Sequence, residues 1–400
     1  MTTADDPFLA VPEGARHRAL AELSAKGPVH RMRLATGADA WVVTGHAEAK
    51  AVLTDPRVVR SGASHMPFGD EMPPELLRAL SFNLLTTDPP DHTRLRRLVS
   101  AAFTRRRVEG LTPRIEAICA DLLDGLEARL AADGEADLIT AFAGPLPITV
   151  ICELLGVPAA SHADVRAWAG PLLAGRFAGY EAFSHAAEEI VELVRGLAAE
   201  KRRAPADDLL SALVTVDGDR LSEDELTSMV YLLLIAGHET TVNLIANGVN
   251  VLFAHPDQLA LLRAEPERLP AAVEEILRFD SPTQVTIPAI TAEPVEVAGQ
   301  LIPAGENVVV ALLAVNRDPS RFDEAGVFDV GREVAGHLAF GHGIHHCLGA
   351  PLARLEARIA LGGLLERFGD LEPADGTLER LPSLLINRLA VLPVRRAVPA

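Results

Sequence analysis

Lysine and cysteine are scarce in this chain of 400 residues. Lysine stands only at positions 26, 50 and 201, so arginine supplies 34 of the 37 basic residues; the bias matches GC-rich codon usage and carries no mechanism. The three cysteines, Cys119, Cys152 and Cys347, fall in no CxxC spacing. That excludes a disulfide framework and a cysteine-rich zinc site, and points to a reducing compartment. Positive charge is also short: 37 Lys plus Arg face 55 Asp plus Glu, a formal charge of −18. Such a field repels nucleic-acid phosphates and anionic lipid head groups, so neither nucleic acid nor a membrane surface is an expected partner. The start, Met1-Thr2-Thr3-Ala4-Asp5-Asp6, lacks the basic-then-apolar order of a secretory signal. The longest apolar runs, Met229 to Ala236 and Val308 to Val315, are far too short to span a bilayer. These absences predict a soluble, cytoplasmic protein. No Gly/Ser linker, repeat period or low-complexity tract divides the chain. With 48% hydrophobic and 23% charged residues it can bury a large core, and one compact domain over residues 1–400 is the expectation.

Apolar residues recur three and four apart near 15–26, 91–108, 111–132, 161–175, 181–202, 222–254, 257–264, 270–279 and 349–368, which predicts a mainly helical protein. Short strand-like pieces at 29–34, 41–44, 295–297, 307–311 and 390–394 are too scattered for alternating βαβ units, which disfavours a doubly wound nucleotide fold. The longest helical candidate runs from Leu221 to Pro256. Ser222 with Glu225 makes a capping box at its start, and Pro256 closes it.

The most informative stretch is Phe340-Gly341-His342-Gly343-Ile344-His345-His346-Cys347-Leu348-Gly349, followed by a helical run. Glycines on both sides of one cysteine allow a tight loop and close approach to a flat ligand. Amides at the following helix start point at the sulfur and favour a thiolate. Cys119 and Cys152, on apolar helix faces, read instead as small buried hydrophobes. A zinc site built from Cys347 with His337, His342, His345 and His346 suits a tetrahedral centre poorly, because 345–347 are adjacent, and it leaves the glycines without a purpose.

Within the long helix lies Ala236-Gly237-His238-Glu239-Thr240-Thr241. A zinc metalloprotease needs histidine at position 242, which is Val242, so that motif fails. Gly237 weakens the helix and Thr240 can bond back to a carbonyl one turn earlier, so together they are expected to open a groove for a small molecule and water. A hydroxyl beside a carboxylate is a proton-delivery arrangement; a kinked core helix with solvated polar residues is the alternative. Glu275 and Arg278 share one helix face at i,i+3 spacing, a pattern of low specificity.

Jointly these motifs resemble the cytochrome P450 family of the soluble bacterial kind. Phe340, Gly343, Cys347 and Gly349 match its haem-binding loop, Ala236, Gly237, Glu239 and Thr240 its oxygen-activating helix, and Glu275 and Arg278 its structural pair. The likeness continues through Asn316-Arg317-Asp318-Pro319, Phe328-Asp329 and Arg332, which completes the ion network, and upstream through Asp88 to Arg96. The resemblance implies a mainly α fold with small β-sheets, one domain, and haem b held between the long helix and the Cys-loop helix. Cys347 is then the iron ligand; His92, Arg96 and His345 bind the propionates; Phe340 lies against the porphyrin. Ala236, Gly237, Gly343 and Gly349 also contact the cofactor. One departure stands out: Ala289 occupies the position where the family usually has a further propionate-binding arginine.

The activity so implied is monooxygenation, one oxygen atom from O2 entering a lipophilic small molecule such as a polyketide, macrolide, terpenoid or steroid. Thiolate donation favours O–O cleavage, and Thr240 with Glu239 relays protons. The expected pocket includes Leu233, Ala236, Val285, Ile287, Ala289 and Ile386, with segments 61–86, 165–185 and 385–387 around it. The chain has no flavin or nicotinamide fingerprint. Electrons are therefore expected from a ferredoxin and its reductase, with NAD(P)H acting only through them. Arg94, Arg97 and Arg105–Arg107 offer a basic docking face. Competing readings are a haem-thiolate enzyme of coupling, dehydration or peroxygenase chemistry, and a catalytically silent haem-based sensor or binding protein. A cysteine hydrolase lacks a placed Cys, His and acid set.

Overall fold

The computed structural model describes residues 7–9, 15–61, 67–100, 103–215, 221–374, 376 and 378–397. Its first part carries α1 (Ala15–Ser24), β1 (Val29–Arg33), β2 (Asp39–Val43), α2 (His46–Thr54), β3 (Val58–Val59) and α3 (Pro74–Ser81). Next come α4 (Asp91–Ser100), α5 (Arg105–Gly110), α6 (Thr112–Asp133), β4 (Glu135–Asp137), α7 (Pro145–Leu155), α8 (His162–Ala174), α9 (Tyr180–Arg203) and α10 (Leu209–Thr215). The long helix α11 (Glu223–Ala254) precedes α12 (Pro256–Ala264) and α13 (Leu269–Phe279). Strands β5 (Ala289–Thr291), β6 (Val295–Val297), β7 (Gln300–Ile302) and β8 (Asn307–Val310) follow. The chain ends with α14 (Leu312–Val315), α15 (Ala350–Arg367), β9 (Leu371–Pro373) and β10 (Pro393–Arg396). The fold is mainly helical with small sheets, as the periodicity predicts. The single helix expected over 91–108 is instead two, α4 and α5, with Thr104 as the N-cap of the second.

Helix α11 is the axis of the molecule, packed by α3, α7, α9, α13 and α15. Among the described residues it is the one helix long and apolar enough to cross a membrane, and its most apolar window is 72% buried inside the fold. Its length follows from its sequence. Ser222 accepts from the Glu225 N–H (3.2 Å), and Glu225 Oε2 accepts from the Ser222 N–H (2.8 Å), so both halves of the capping box are made.

Five strands form one sheet in the order β1-β2-β8-β5-β3, with β2 and β8 parallel and the other neighbours antiparallel. Val43, Val308 and Val310 pack on one side with Val29, Val295 and Ile302. Val42 and Val309 pack on the other with Phe8, Leu20 and Val285. That alternation buries both faces. The pairing sets β3 against β5, Val59 opposite Ile290, and so brings residue 60 beside the segment that leads into Ala289.

Candidate functional site

The Cys347 loop is closed by its own backbone. The Cys347 N–H donates to the Phe340 carbonyl (2.9 Å), the Gly341 N–H to Leu338 (2.9 Å) and the His346 N–H to Gly343 (3.1 Å). Gly341 and Gly343 have φ of 72° and 70°, the left-handed region that a side chain disfavours. A Cβ on Gly343 would also lie 2.6 Å from the Leu53 carbonyl oxygen at the end of α2, so the loop can sit on α2 only with glycine there. Cys347 is exposed, just ahead of α15. Burial of its surroundings in protein raises the thiol pKa, against the N–H groups of Gly349 and Ala350 and the charges of Arg96 and Arg354. The amides the sequence promised are in place, but burial outweighs them and keeps the thiol pKa raised. Cys119 and Cys152 are buried with pKa values raised to about 11 and about 12, which fits inert packing residues.

Above the loop stands a group the sequence did not reveal. The Arg354 guanidinium lies 4.4 Å from the Phe340 ring centroid. Glu274 holds it with two bonds (2.6 and 2.8 Å) and also meets His337 Nε2 at 2.9 Å. Phe340 is thereby fixed through α15 and α13. Neighbouring Glu275 points the other way, into the Arg278 guanidinium at 2.6 and 2.7 Å, with both side chains fully buried. Arg278 further donates to the carbonyls of Asn316, Ala325 and Val327, and Arg332 lies 3.4 Å from Glu275. The pair therefore clamps the irregular segment 316–332 onto α13.

On α11, Thr240 Oγ1 donates to the Ala236 carbonyl at 3.0 Å, as its spacing predicts. Helix α11 runs unbroken through Gly237, from Glu223 to Ala254. Gly237 packs closely on α7, where a Cβ would come 3.1 Å from the Ile151 side chain. Glu239 is buried and paired with Arg388 Nη1 at 3.2 Å, with His238 Nε2 at 3.7 Å. Arg388 sits in the C-terminal loop, and no local sequence signal connects it to Glu239.

A basic cluster forms beside the Cys loop. His92 and Arg96 share one face of α4, and the His92 and His345 rings stand 4.5 Å apart. His92 is buried and its Nε2 has no hydrogen-bond partner. His345 Nδ1 is 3.0 Å from the Leu84 carbonyl. Burial, then Arg60 and His92, lower the His345 pKa to about 4, so its imidazole is neutral near neutral pH. Burial and Arg96 lower that of His92. Two imidazoles and two guanidiniums crowded together, one imidazole nitrogen buried and unpartnered, suit a ligand bearing carboxylates. Together with a cysteine in a glycine loop, this donor set fits a haem and no simple metal ion. Among the described residues no three His, Cys, Asp or Glu side chains converge as a metal site.

Of the expected pocket residues only Ala236 and Ile287 present surface; Leu233, Val285, Ala289 and Ile386 are buried. Val285 packs in the core with Phe8 and Leu20, and Leu233 lies in the helical core. Asn387 is locked by Asp280, Arg16 and Arg380. Residues 62–66 of the expected segment 61–86 lie outside the described residues. Phe82 and Phe177, in two of the expected segments, are exposed at 47% and 44%. On the basic face, Arg94 is paired with Glu225 and Arg105 with Glu109, and Arg97, Arg105, Arg106 and Arg107 are all exposed.

The profile of the family described as Cytochrome P450 matches residues 176–389. Cytochrome P450 107B1 of Saccharopolyspora erythraea is 49% identical over 409 aligned residues, covering 99% of each chain. The 6-deoxyerythronolide B hydroxylase of the same organism is 45% identical over 393, covering 95% of each. The solved structure of the tirandamycin C-bound P450 monooxygenase TamI superposes with a TM-score of 0.87 at 42% identity, covering 95% of this chain and 97% of that one.

Proposed function

This chain belongs to the cytochrome P450 family and is a monooxygenase, and from that premise we propose that it binds haem b between α11 and the Cys347 loop. We propose further that it hydroxylates or epoxidises a lipophilic small molecule of the macrolide or polyketide kind. All 400 residues serve that one domain, in the cytoplasm. The family implies haem-thiolate iron and the use of O2, and the bound iron supplies oxygen activation. The chain's own residues do the rest. Cys347 would be the residue that holds the metal, through its sulfur. His92, Arg96 and His345 meet the carboxylates, and Phe340, fixed by Arg354, covers the sulfur side. Glu239, held by Arg388, and Thr240 move protons toward the oxygen-binding face.

The substrate class rests on two supports. The relative 6-deoxyerythronolide B hydroxylase is named for such a molecule and TamI was solved with tirandamycin C bound. Phe82 and Phe177 offer this chain large apolar surfaces in the segments expected to cover a substrate. A ferredoxin and its reductase supply the electrons, with docking at Arg97, Arg106 and Arg107.

The observation that carries the reading is Cys347, exposed in a glycine-shaped loop ahead of α15 and flanked by the basic cluster. Haem-loaded protein, reduced under carbon monoxide, is expected to give the thiolate-type absorption band. Cys347→Ser is expected to abolish that band while the protein stays folded. A serine variant with an unchanged band refutes the assignment.

A further inference from the structure

Ala289 removes a cation from the carboxylate side of the site, and the fold places another there. Strand β3 ends at Val59, paired with Ile290 of β5, so Arg60 leaves the sheet edge next to the altered position. Its side chain is buried (residue exposure 7%), and Nη1 donates to the carbonyls of Ile287 and, at 3.1 Å, Pro288. The guanidinium is thus fixed on the two residues preceding Ala289. Its backbone is fixed as well: the Asp88 carboxylate accepts from the Arg60 N–H at 3.0 Å and from the Ser61 N–H at 2.7 Å. The Asp88 carbonyl in turn accepts from the His92 N–H at 2.9 Å, tying the end of β3 to the start of α4.

We propose that Arg60 is a haem-carboxylate anchor, supplied from β3 in place of the side chain that β5 lacks at Ala289. The proposal rests on the haem reading above and assigns a residue that the motif pattern does not include. Burying an arginine is costly unless an anion or several acceptors receive it. Asp88 acts on the Arg60 charge, and that same carboxylate is engaged by two backbone amides. Arg60 in turn acts on His345, so its charge reaches the neighbourhood of the His92–His345 pair. A ligand with carboxylates would meet the Arg60 and Arg96 charges that act on the His345–His92 pair.

The test is haem loss to an excess of apo-globin, followed by absorbance, together with thermal unfolding of the haem-free protein. Arg60→Gln keeps a donor for the Ile287 and Pro288 carbonyls and removes the charge; it is expected to speed haem loss about tenfold, as the loss of one charge-assisted hydrogen bond should. Adding Ala289→Arg to that variant is expected to slow haem loss again. With haem dimethyl ester, whose carboxylates are blocked, wild type and Arg60→Gln are expected to lose the group at equal rates. The proposal is overturned if Arg60→Gln retains haem as wild type does. It is equally overturned if the ester is lost faster from the variant, since Arg60 then acts only by bracing residues 287–288. If wild type itself fails to bind haem with a thiolate-type band, the underlying reading falls, and that result is distinguishable from both.

Discussion

At the scale of single residues, the chemistry divides between side chains that announce themselves in the sequence and partners that do not. Cys347 is legible because glycines at 341, 343 and 349 leave a cysteine no ordinary packing role. Thr240 bonding back to Ala236 follows from helix geometry alone. Arg388, Arg354 and Arg60 are not legible, because each reaches its partner across the fold from a segment with no motif. The Glu239–Arg388 pair shows why this matters. Arg388 reaches the buried Glu239 carboxylate from outside α11, at 3.2 Å. Glu239→Gln is expected to lower turnover about a hundredfold, the usual worth of a positioned proton donor. Arg388→Gln is expected to lower it by a smaller factor. Both should leave the carbon monoxide band intact, because neither touches Cys347. Steady-state turnover with a reconstituted electron supply checks this, and wild-type rates in Glu239→Gln would remove that residue from the proton path.

At the scale of elements, periodicity finds α6, α9 and α13 and misses α7. Helices α6, α9 and α13 show polar and apolar sides and match their expected ranges closely. Helix α7, Pro-Leu-Pro-Ile-Thr-Val-Ile-Cys-Glu-Leu-Leu, was not expected: it is apolar nearly all round, β-branched in its middle, and buried against α11. Tertiary packing overrides its strand-like composition. The capping box of α11, by contrast, is fully local and was readable from two residues. Glu225 also pairs with Arg94 of α4, so the helix start is tied to the element that carries His92. Ser222→Ala is expected to cost about 1 kcal/mol. Glu225→Ala is expected to cost more, since it removes the second half of the box and the link to α4 together. Urea unfolding of the holoprotein resolves the order; equal losses would mean that the Arg94 contact contributes nothing.

At the scale of the whole molecule, strands far apart in sequence are joined in one sheet, β2 running parallel to β8, and no local pattern could announce that pairing. The scattered strand pieces disfavoured a doubly wound nucleotide fold but did not specify the sheet that stands in its place. Global stability should carry the marks of two acids on either side of the Cys-loop helix, with opposite signs. Burial alone would raise Glu274, but its bonds to Arg354 and His337 win and lower it from 4.5 to about 2. Its stabilisation is therefore fully present above the unfolded value and is lost as pH falls from about 4.5 toward 2. Glu356, on α15, is buried with its Oε2 unpartnered, and burial raises its pKa well above 4.5. The folded state then keeps a proton that the unfolded chain releases, so stability is full below 4.5 and declines as pH rises above it. Glu356→Gln preserves the shape of the protonated acid and removes that decline. Its melting temperature should match wild type at about pH 4 and exceed it by about pH 8, whereas the deficit of Glu274→Gln should shrink toward acid. Melting curves of the two variants across this range decide the matter: a Glu356→Gln difference that stays constant with pH would mean that Glu356 is ionised in the folded protein.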